Sequence, residues 1–195
     1  MTSTIEREKV VLRELANYYK TQVEPTLSTL RTCVLAARIA NLILTEFEIP
    51  HDVTHVDALI VNDEWHDFAN STDDIDITGI PDTAWSIRYN SAEKPEKNGL
   101  PGHLVVETDH YFVDLSARQL DRPQHNIITA APLVVPFGAL TELPDGFWSV
   151  PIRKGHYLFR DAAVRRSPKH CPDWTRNCWR YSSECEAVVR RALGK

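Results

Sequence analysis

Residues 102–115 contain two short runs of β-branched and aromatic residues on either side of a polar group. Apolar and polar positions roughly alternate along both runs, which is the pattern of a β-hairpin. With the turn centred between Thr108 and Asp109, residues that face each other have numbers that sum to 217. His103 and Asp114 then lie directly opposite each other, on the same face, with Cβ atoms about 4.5–5.5 Å apart. The sequence therefore predicts a hydrogen bond between this imidazole and this carboxylate.

An imidazole beside a carboxylate is the orienting half of a nucleophile–base–acid arrangement. The carboxylate fixes the tautomer of the imidazole and supports its positive charge, while the imidazole accepts the proton of the nucleophile. The alternative is a polar pair without chemistry, in which each side chain only satisfies the other's hydrogen bonds. Whether the chain also supplies a nucleophile separates these two interpretations.

Cys33 is the candidate nucleophile, at the start of a strongly apolar segment. Apolar residues recur on nearly all sides of a helix drawn over residues 34–47, and such a helix is buried. Ser28, Thr29 and Thr32 are possible caps, so Cys33 falls near the first helical turn. The positive end of the helix dipole and a neighbouring imidazolium would both favour the thiolate at neutral pH. The alternative is that the thiol is a small hydrophobic group in the core.

Three segments together resemble a known group of enzymes. They are Arg31-Thr32-Cys33 with the helix after it, Gly102-His103-Leu104-Val105-Val106, and Val113-Asp114-Leu115. A cysteine that opens a central helix, a histidine that opens a later strand and an aspartate on the next strand resemble the papain-like and transglutaminase-like cysteine enzymes. The arylamine N-acetyltransferases share that core, and the resemblance covers roughly residues 25–120.

This resemblance implies an α+β fold in which a central buried helix packs on an antiparallel β-sheet. It also implies Cys33 as the nucleophile, His103 as general base and then general acid, and Asp114 as the residue that orients His103, without a metal or an organic cofactor. A glutamine just upstream of the cysteine, which papain uses to stabilise the oxyanion, is absent. Backbone N–H groups or another side chain would have to stabilise the oxyanion instead.

Composition and charge limit the kinds of partner. The 195 residues are 43% hydrophobic and 25% charged, as in ordinary globular proteins, and the formal net charge is −5. This charge argues against nucleic acid and membranes as partners, because both attract basic surfaces. No apolar run approaches the about 20 residues that span a bilayer, and the N-terminus lacks the apolar core of a signal peptide. We expect a cytoplasmic protein whose four cysteines are thiols.

The predicted organisation is a single domain with three parts. An outer N-terminal helix occupies residues 1–24, the core occupies 25–160, and a basic extension with a short helix occupies 161–195. One face of the N-terminal helix is expected to contain Val11, Leu15, Tyr18 and Gln22.

The pattern within the core is uneven. A strand is predicted over residues 53–61, whereas residues 62–101 have only short apolar islands and are predicted to form a long loop, of a kind that is often functional. Trp85 and Tyr89 are candidate substrate-binding residues in the wall of a cleft. The alternative is that these aromatic rings only seal the loop against the core. Short strands are predicted in residues 132–137, 147–152 and 157–159, and a helix from 182 or 183 to 193.

Other histidines are weaker candidates. His110, in the hairpin turn, is the rival base if the hairpin register differs by a few residues. His51 and His55 could coordinate a metal together only if they shared a face of a helix. Pro50 and the β-branched residues after it make this stretch extended instead, so we do not expect a metal there.

The C-terminal part offers two further interpretations. His170 with three cysteines suggests zinc, but sulfur atoms seven residues apart differ from the paired spacing of structural zinc sites, so buried thiols on one helix face are the simpler interpretation. A cluster of six arginines and one lysine could also bind an anionic ligand, although clustered charges of this kind usually form a solvent-exposed face. The residues are Cys171, Cys178 and Cys185 for the first, and Arg165, Arg166, Lys169, Arg176, Arg180, Arg190 and Arg191 for the second.

The predicted function is cysteine-dependent acyl transfer or hydrolysis on an amide or thioester, of peptidase, deamidase or acyltransferase type. The expected partner is a peptide, a protein or a small acyl substrate. The alternative is a non-catalytic binding module on the same fold. An enzyme keeps Cys33 accessible and as a thiolate, whereas a binding module can bury it.

Overall fold

The structure is a computed structural model that describes residues 4–27, 32–71, 80–94, 100–129, 132–143, 146–175 and 178–194, without the side chains of His170 and Trp179. Within these ranges the α-helices are α1 Thr4–Tyr18, α2 Cys33–Glu46, α3 Asp63–Ser71, α4 Pro172–Thr175 and α5 Trp179–Ala192. The strands are β1 His51–Val61, β2 Ser86–Tyr89, β3 His103–Thr108, β4 Tyr111–Asp114, β5 Leu133–Pro136, β6 Thr141–Glu142, β7 Trp148–Pro151 and β8 His156–Asp161.

The strands form one curled antiparallel sheet in the order β5-β4-β3-β1-β8-β7-β6, and β2 pairs with the second half of β1. The predicted α+β class is therefore confirmed. β1 is the long central strand, since β3 pairs with its first half and β8 with its second half. Gly155 (φ +90°) directly precedes β8. A Cβ atom at this position would lie 2.2 Å from the carbonyl oxygen of Val61, so only glycine fits.

The sheet separates two hydrophobic cores. One core lies between the helices and the sheet and contains the buried faces of α1, α2 and α5 together with Leu104, Val106 and Val113 from the hairpin. The other lies on the concave side of the sheet and contains Val105 and Phe112 from the same hairpin. Alternate residues of β3 and β4 therefore serve different cores, as the two-residue period of a strand requires.

The predicted central helix is confirmed as α2, which packs on β1, β3 and β4 and against α1 and α5. Its small buried residues Ala36, Ala37 and Ala40 let the helix lie close to the sheet. Of the possible caps, Thr32 directly precedes the helix, and Ser28 and Thr29 lie outside the described residues.

The N-terminal helix differs from its prediction at its end. Val11, Leu15 and Tyr18 are buried as expected, but Gln22 is exposed, so its assignment to that face is wrong. The reason is a π-helical turn over Tyr19–Val23, whose wider hydrogen-bond spacing rotates the following residues. Tyr19 and Val23 are buried in place of Gln22.

Residues 62–101 contain more regular structure than predicted. The described part forms α3 and β2, so the prediction of a continuous loop is wrong there, and residues 72–79 and 95–99 lie outside the described residues. The apolar islands belong to these two elements, which were too short to show a clear periodicity.

The later strands β5, β7 and β8 lie where they were predicted, and α5 begins earlier than expected, at Trp179. α5 packs on α1 and α2, so the C-terminal segment contributes to the same core as the N-terminal helix. Among the described helices, none combines the length and the apolar character needed to cross a membrane.

The central position of α2 gives a test of the fold. Ile39 is 0% exposed between the sheet and the other helices, whereas Ile5 on α1 is 49% exposed. We expect Ile39→Ala to lower the free energy of unfolding by about 2–5 kcal/mol, because it leaves a cavity, and Ile5→Ala to change it by less than about 0.5 kcal/mol. Urea denaturation followed by far-UV circular dichroism measures both, and equal losses would contradict a central α2.

Candidate functional site

His103 begins β3 directly after a glycine that the fold requires. Gly102 has a φ of +84°, and a Cβ atom there would lie 2.6 Å from Nε2 of His55. That nitrogen is 2.7 Å from the carbonyl oxygen of Pro101, so the loop before β3 lies tightly against His55. The strand therefore starts at a fixed point, with the His103 ring buried on the concave side beside the rings of Tyr89 and Tyr157.

The predicted hydrogen bond between His103 and Asp114 is confirmed: Nε2 of His103 lies 2.8 Å from Oδ2 of Asp114. The predicted register is wrong by two, because Val106 faces Val113 and the numbers of facing residues sum to 219, from 106 and 113. A shift of two residues keeps every side chain on its face. The two residues are thus diagonal neighbours on the concave face instead of directly opposed ones.

The turn explains the change of register. Oγ1 of Thr108 accepts a hydrogen bond from the backbone N–H of Tyr111 at 3.0 Å, and a longer one from that of His110 at 3.4 Å. This side chain closes the turn over residues 109–110 instead of 108–109. The competing hydrogen bond of a threonine side chain therefore decided the position of the turn.

Asp114 is held by four hydrogen bonds. Besides His103, it accepts one from the backbone N–H of Ser116 at 2.9 Å, one from Ser116 Oγ at 2.8 Å and one from the hydroxyl of Tyr157 at 3.1 Å. Its burial would raise the pKa of this carboxyl, but the charge of His103 and the hydrogen bonds outweigh burial and lower it. The side chain is therefore a buried carboxylate with a fixed orientation.

His103 carries a positive charge in this setting. Burial of its ring would lower the pKa, but the carboxylate of Asp114 and the side chain of the nearby Cys33 outweigh burial and raise the pKa of His103 to about 10. Among the described residues, Nδ1 of His103 makes no hydrogen bond of good geometry, although the thiol of Cys33 is near enough to interact with the ring, while Nε2 is occupied by Asp114. Nε2 is therefore fixed by Asp114, whereas Nδ1 is the nitrogen that can interact with Cys33.

Cys33 is the first residue of α2 and is half-buried. The first backbone hydrogen bond of the helix runs from the N–H of Ala36 to the carbonyl oxygen of Thr32 at 2.9 Å. The N–H groups of the residues between them therefore make no intrahelical bond, and they lie at the positive end of the helix dipole. This electrostatic setting favours negative charge at the position of the thiol.

Gln119 connects the start of α2 to the histidine–aspartate pair. Its Oε1 accepts hydrogen bonds from the backbone N–H of Thr32 at 3.1 Å and from the hydroxyl of Thr32 at 3.2 Å. Its Nε2 donates to Oγ of Ser116 at 3.2 Å, and Ser116 in turn donates to Asp114. A continuous chain of hydrogen bonds thus joins the residue before Cys33 to His103.

A cleft of about 490 Å³ is lined by Thr32, the residue before Cys33, and by Ser116 and Gln119. This volume is in the range of small-molecule binding sites. At its open end Arg118 lies 3.4 Å from Glu24. The lining residues are Tyr19, Glu24, Pro25, Leu27, Thr32, Ser116, Arg118 and Gln119.

Four residues of the site were not predicted from the sequence: Tyr19, Ser116, Gln119 and Tyr157. Ser116 could have been found, because an aspartate side chain often accepts a hydrogen bond from the N–H two residues later. Tyr157 comes from β8, which is 43 positions from Asp114, and no local pattern indicates this contact.

The predicted substrate-binding residues lie in different surroundings. The ring of Tyr89 is 5.8 Å from that of His103, centre to centre, and packs against the concave core. Trp85 stacks on His125 with ring centres 3.9 Å apart. Tyr89 is therefore next to the site, while the role of both residues in substrate binding stays a prediction.

The remaining candidates are placed as follows. His110, the rival base, lies 2.7 Å from the buried carboxylate of Glu8 on α1. His51 and His55 lie on β1, as the prediction of an extended segment requires. Among the described residues no group of three or more His, Cys, Asp or Glu side chains could hold a metal ion. The core between the helices and the sheet contains three buried cysteines, as the buried-thiol interpretation predicted: Cys171, Cys178 and Cys185.

The charge of His103 makes the stability of the fold depend on pH. Its folded pKa is raised above the ordinary 6.5, so its contribution is complete below about pH 6.5 and is lost as the pH rises through about 10. In Asp114→Asn the burial of the His103 ring dominates, so the pKa of His103 falls below 6.5 in the folded state. The stability that His103 contributes then grows as the pH rises towards 6.5. We expect the difference in unfolding free energy, wild type minus variant, to fall with rising pH, by at most about 1.4 kcal/mol per unit.

Urea unfolding curves between pH 5 and about 9.5 measure this difference, within the range where ordinary carboxylates are already ionised. Asp121→Asn is the matched control, because Asp121 accepts hydrogen bonds from Thr129 and not from an imidazole. Its difference from the wild type should stay constant over this range. Parallel curves for the wild type and Asp114→Asn would contradict a charged His103.

Comparisons of the chain with protein-family models, with curated proteins and with solved structures find no match. The geometry of the site is thus the basis for assigning a function. That geometry brings Cys33 beside a buried histidine–aspartate pair, and Thr32 and Ser116, which neighbour Cys33 and Asp114 in the chain, line a cleft.

Proposed function

We propose that this protein is a cysteine hydrolase or acyltransferase with a papain-like or transglutaminase-like fold, acting on an amide or a thioester. Cys33 would be the nucleophile, His103 the general base and acid, and Asp114 the residue that orients His103. The observation that supports this most is the ring of His103, which is 0% exposed, has Nε2 on Asp114, and has Nδ1 without a hydrogen bond of good geometry beside Cys33.

A purely structural histidine–aspartate pair explains this arrangement less well. A buried polar atom without a hydrogen bond costs about 1–3 kcal/mol, so a structural histidine normally has both nitrogens occupied. Here the carboxylate has four donors, while the second imidazole nitrogen makes no hydrogen bond of good geometry and has only the thiol of Cys33 near the ring. Nδ1 of His103 is therefore available to exchange a proton with a thiol. A thiol nucleophile requires such a neighbouring base.

The chemistry follows from these positions. Nδ1 of His103 takes the thiol proton, and the sulfur of Cys33 attacks the carbonyl carbon, which forms a C–S bond and moves the π pair onto the oxygen. When the C=O bond re-forms, the bond to the leaving group breaks, and His103 returns the proton to the leaving amine or thiol. The acyl group on Cys33 is then transferred to water or to another acceptor, whose proton His103 accepts.

Asp114 keeps its role throughout this cycle. Because Ser116 and Tyr157 donate to it, the carboxylate stays ionised and does not take the proton from His103. It holds the ring with Nδ1 towards Cys33 and stabilises the imidazolium. A cytoplasmic location, where thiols stay reduced, suits such a nucleophile and is part of this proposal.

The reactivity of Cys33 tests the proposal without a known substrate. We expect iodoacetamide to label Cys33 well below pH 7, because an imidazolium and a helix N-terminus stabilise its thiolate. The other cysteines are internal controls, since burial raises the pKa of Cys171 and Cys178, and that of Cys185 to about 12. Peptide mass spectrometry after timed labelling at each pH gives the four rates separately.

His103→Gln is the matched variant, since an amide can still donate to Asp114 but cannot hold the proton. It should move the labelling of Cys33 to higher pH by at least about one unit while the far-UV circular dichroism spectrum stays unchanged. A Cys33 that is unreactive below pH 8 in the folded protein would remove the nucleophile. The non-catalytic binding module would then be the better proposal.

A further inference from the structure

Tyr19 has a buried hydroxyl without a hydrogen bond of good geometry. The residue is 1% exposed and begins the π-helical turn at the end of α1, yet its oxygen makes no hydrogen bond of good geometry with a described group, and the side chain of Thr32 is a nearby polar contact. Tyrosine hydroxyls that are buried usually find a partner. Single π-helical turns also occur frequently at functional sites.

This hydroxyl lies close to the reacting groups. Tyr19 lines the same cleft as Thr32, the residue before Cys33. Burial raises the pKa of the Tyr19 hydroxyl, the nearby Thr32 side chain lowers it less, and the carboxylates of Asp114 and Glu24 raise it further. The hydroxyl therefore keeps its proton at neutral pH and is a hydrogen-bond donor on the cleft wall.

The other polar side chains on the inner wall of the cleft are already committed. The hydroxyl of Thr32 donates to Gln119, the amide of Gln119 donates to Ser116, and the hydroxyl of Ser116 donates to Asp114. Glu24 and Arg118 face each other at the open end. Among the side-chain hydroxyls that line the cleft in the described residues, that of Tyr19 is the one not already committed to a hydrogen bond of good geometry.

We propose that this cleft binds the acyl part of the substrate and that the hydroxyl of Tyr19 donates a hydrogen bond to the carbonyl oxygen that Cys33 attacks. This inference rests on the proposed function and assigns the oxyanion donor that the sequence leaves open. The thiolate forms the C–S bond, the π pair moves onto the oxygen, and Tyr19 stabilises that negative charge without giving up its proton. The two charged residues of the lining, Glu24 and Arg118, pair with each other, so the acyl group next to the carbonyl is a neutral one.

Two reagents separate this role from that of the thiolate. Iodoacetamide alkylates sulfur by displacement of iodide, and no oxyanion forms, whereas p-nitrophenyl acetate acetylates sulfur through a tetrahedral oxyanion and releases p-nitrophenolate. We expect Tyr19→Phe to slow acetylation of Cys33 by about 10²-fold, the effect of losing one oxyanion donor. Alkylation of Cys33, and its dependence on pH, should be unchanged. Mass spectrometry of quenched samples measures both rates.

Tyr18→Phe is the matched control. Its hydroxyl donates to Glu184 on α5 at 2.7 Å, so this variant removes a neighbouring hydroxyl that faces away from the cleft. It should acetylate at the wild-type rate. Tyr19→Phe should also unfold at the same urea concentration as the wild type, because it removes a hydroxyl that makes no hydrogen bond of good geometry with a described group.

The outcomes distinguish three cases. Selective loss of acetylation in Tyr19→Phe supports the inference. Wild-type acetylation, equal slowing of both reactions, or lower stability of this variant overturns it, since the hydroxyl would then be idle or structural. If wild-type Cys33 reacts no faster than Cys171 with either reagent, the proposed function fails, and this inference fails with it.

Discussion

The buried ion pair between His103 and Asp114 is the interaction on which the site depends. Two charged groups with 0% and 1% exposure are stable only when their remaining donors and acceptors are paired, because desolvation otherwise outweighs their attraction. The fold provides these partners from three places: Ser116 just after β4, Tyr157 on β8, and the register of the hairpin itself. The curled sheet is what brings β4 and β8 to the same concave core.

The site lies where the helical layer meets the sheet. The helices supply Cys33 and Tyr19 from the N-terminus of α2 and the end of α1, while the sheet supplies the histidine–aspartate pair. Gln119 joins the two layers through Thr32 and Ser116. Because each layer is anchored in its own hydrophobic core, this short hydrogen-bonded connection fixes the position of the thiol relative to the imidazole.

The alternation of residues along the strands and the apolar character of α2 made part of this site predictable from the sequence. The alternation of β3 and β4 determined the shared face of His103 and Asp114, and an error of two in register did not change that face. The apolar segment after Cys33 determined the central helix. What could not be predicted depends on non-local contacts or on competing local hydrogen bonds: Tyr157 arrives from a distant strand, Thr108 shifts the turn, and the π-helical turn buries Tyr19 in place of Gln22.

The unequal burial of the proposed catalytic groups bears on the second half of the reaction. His103 is fully buried and Cys33 is half-buried, so Cys33 is the more accessible of the two. If the cleft holds the acyl part of the substrate as proposed, the acceptor has to reach both the acyl carbon on Cys33 and Nδ1 of His103 beside it. An acceptor that fits the cleft next to the acyl group, as a small amine or thiol can, would exclude water from the same position. Under the proposed function, the choice between transfer and hydrolysis would therefore depend on the shape of this cleft more than on the buried histidine–aspartate pair.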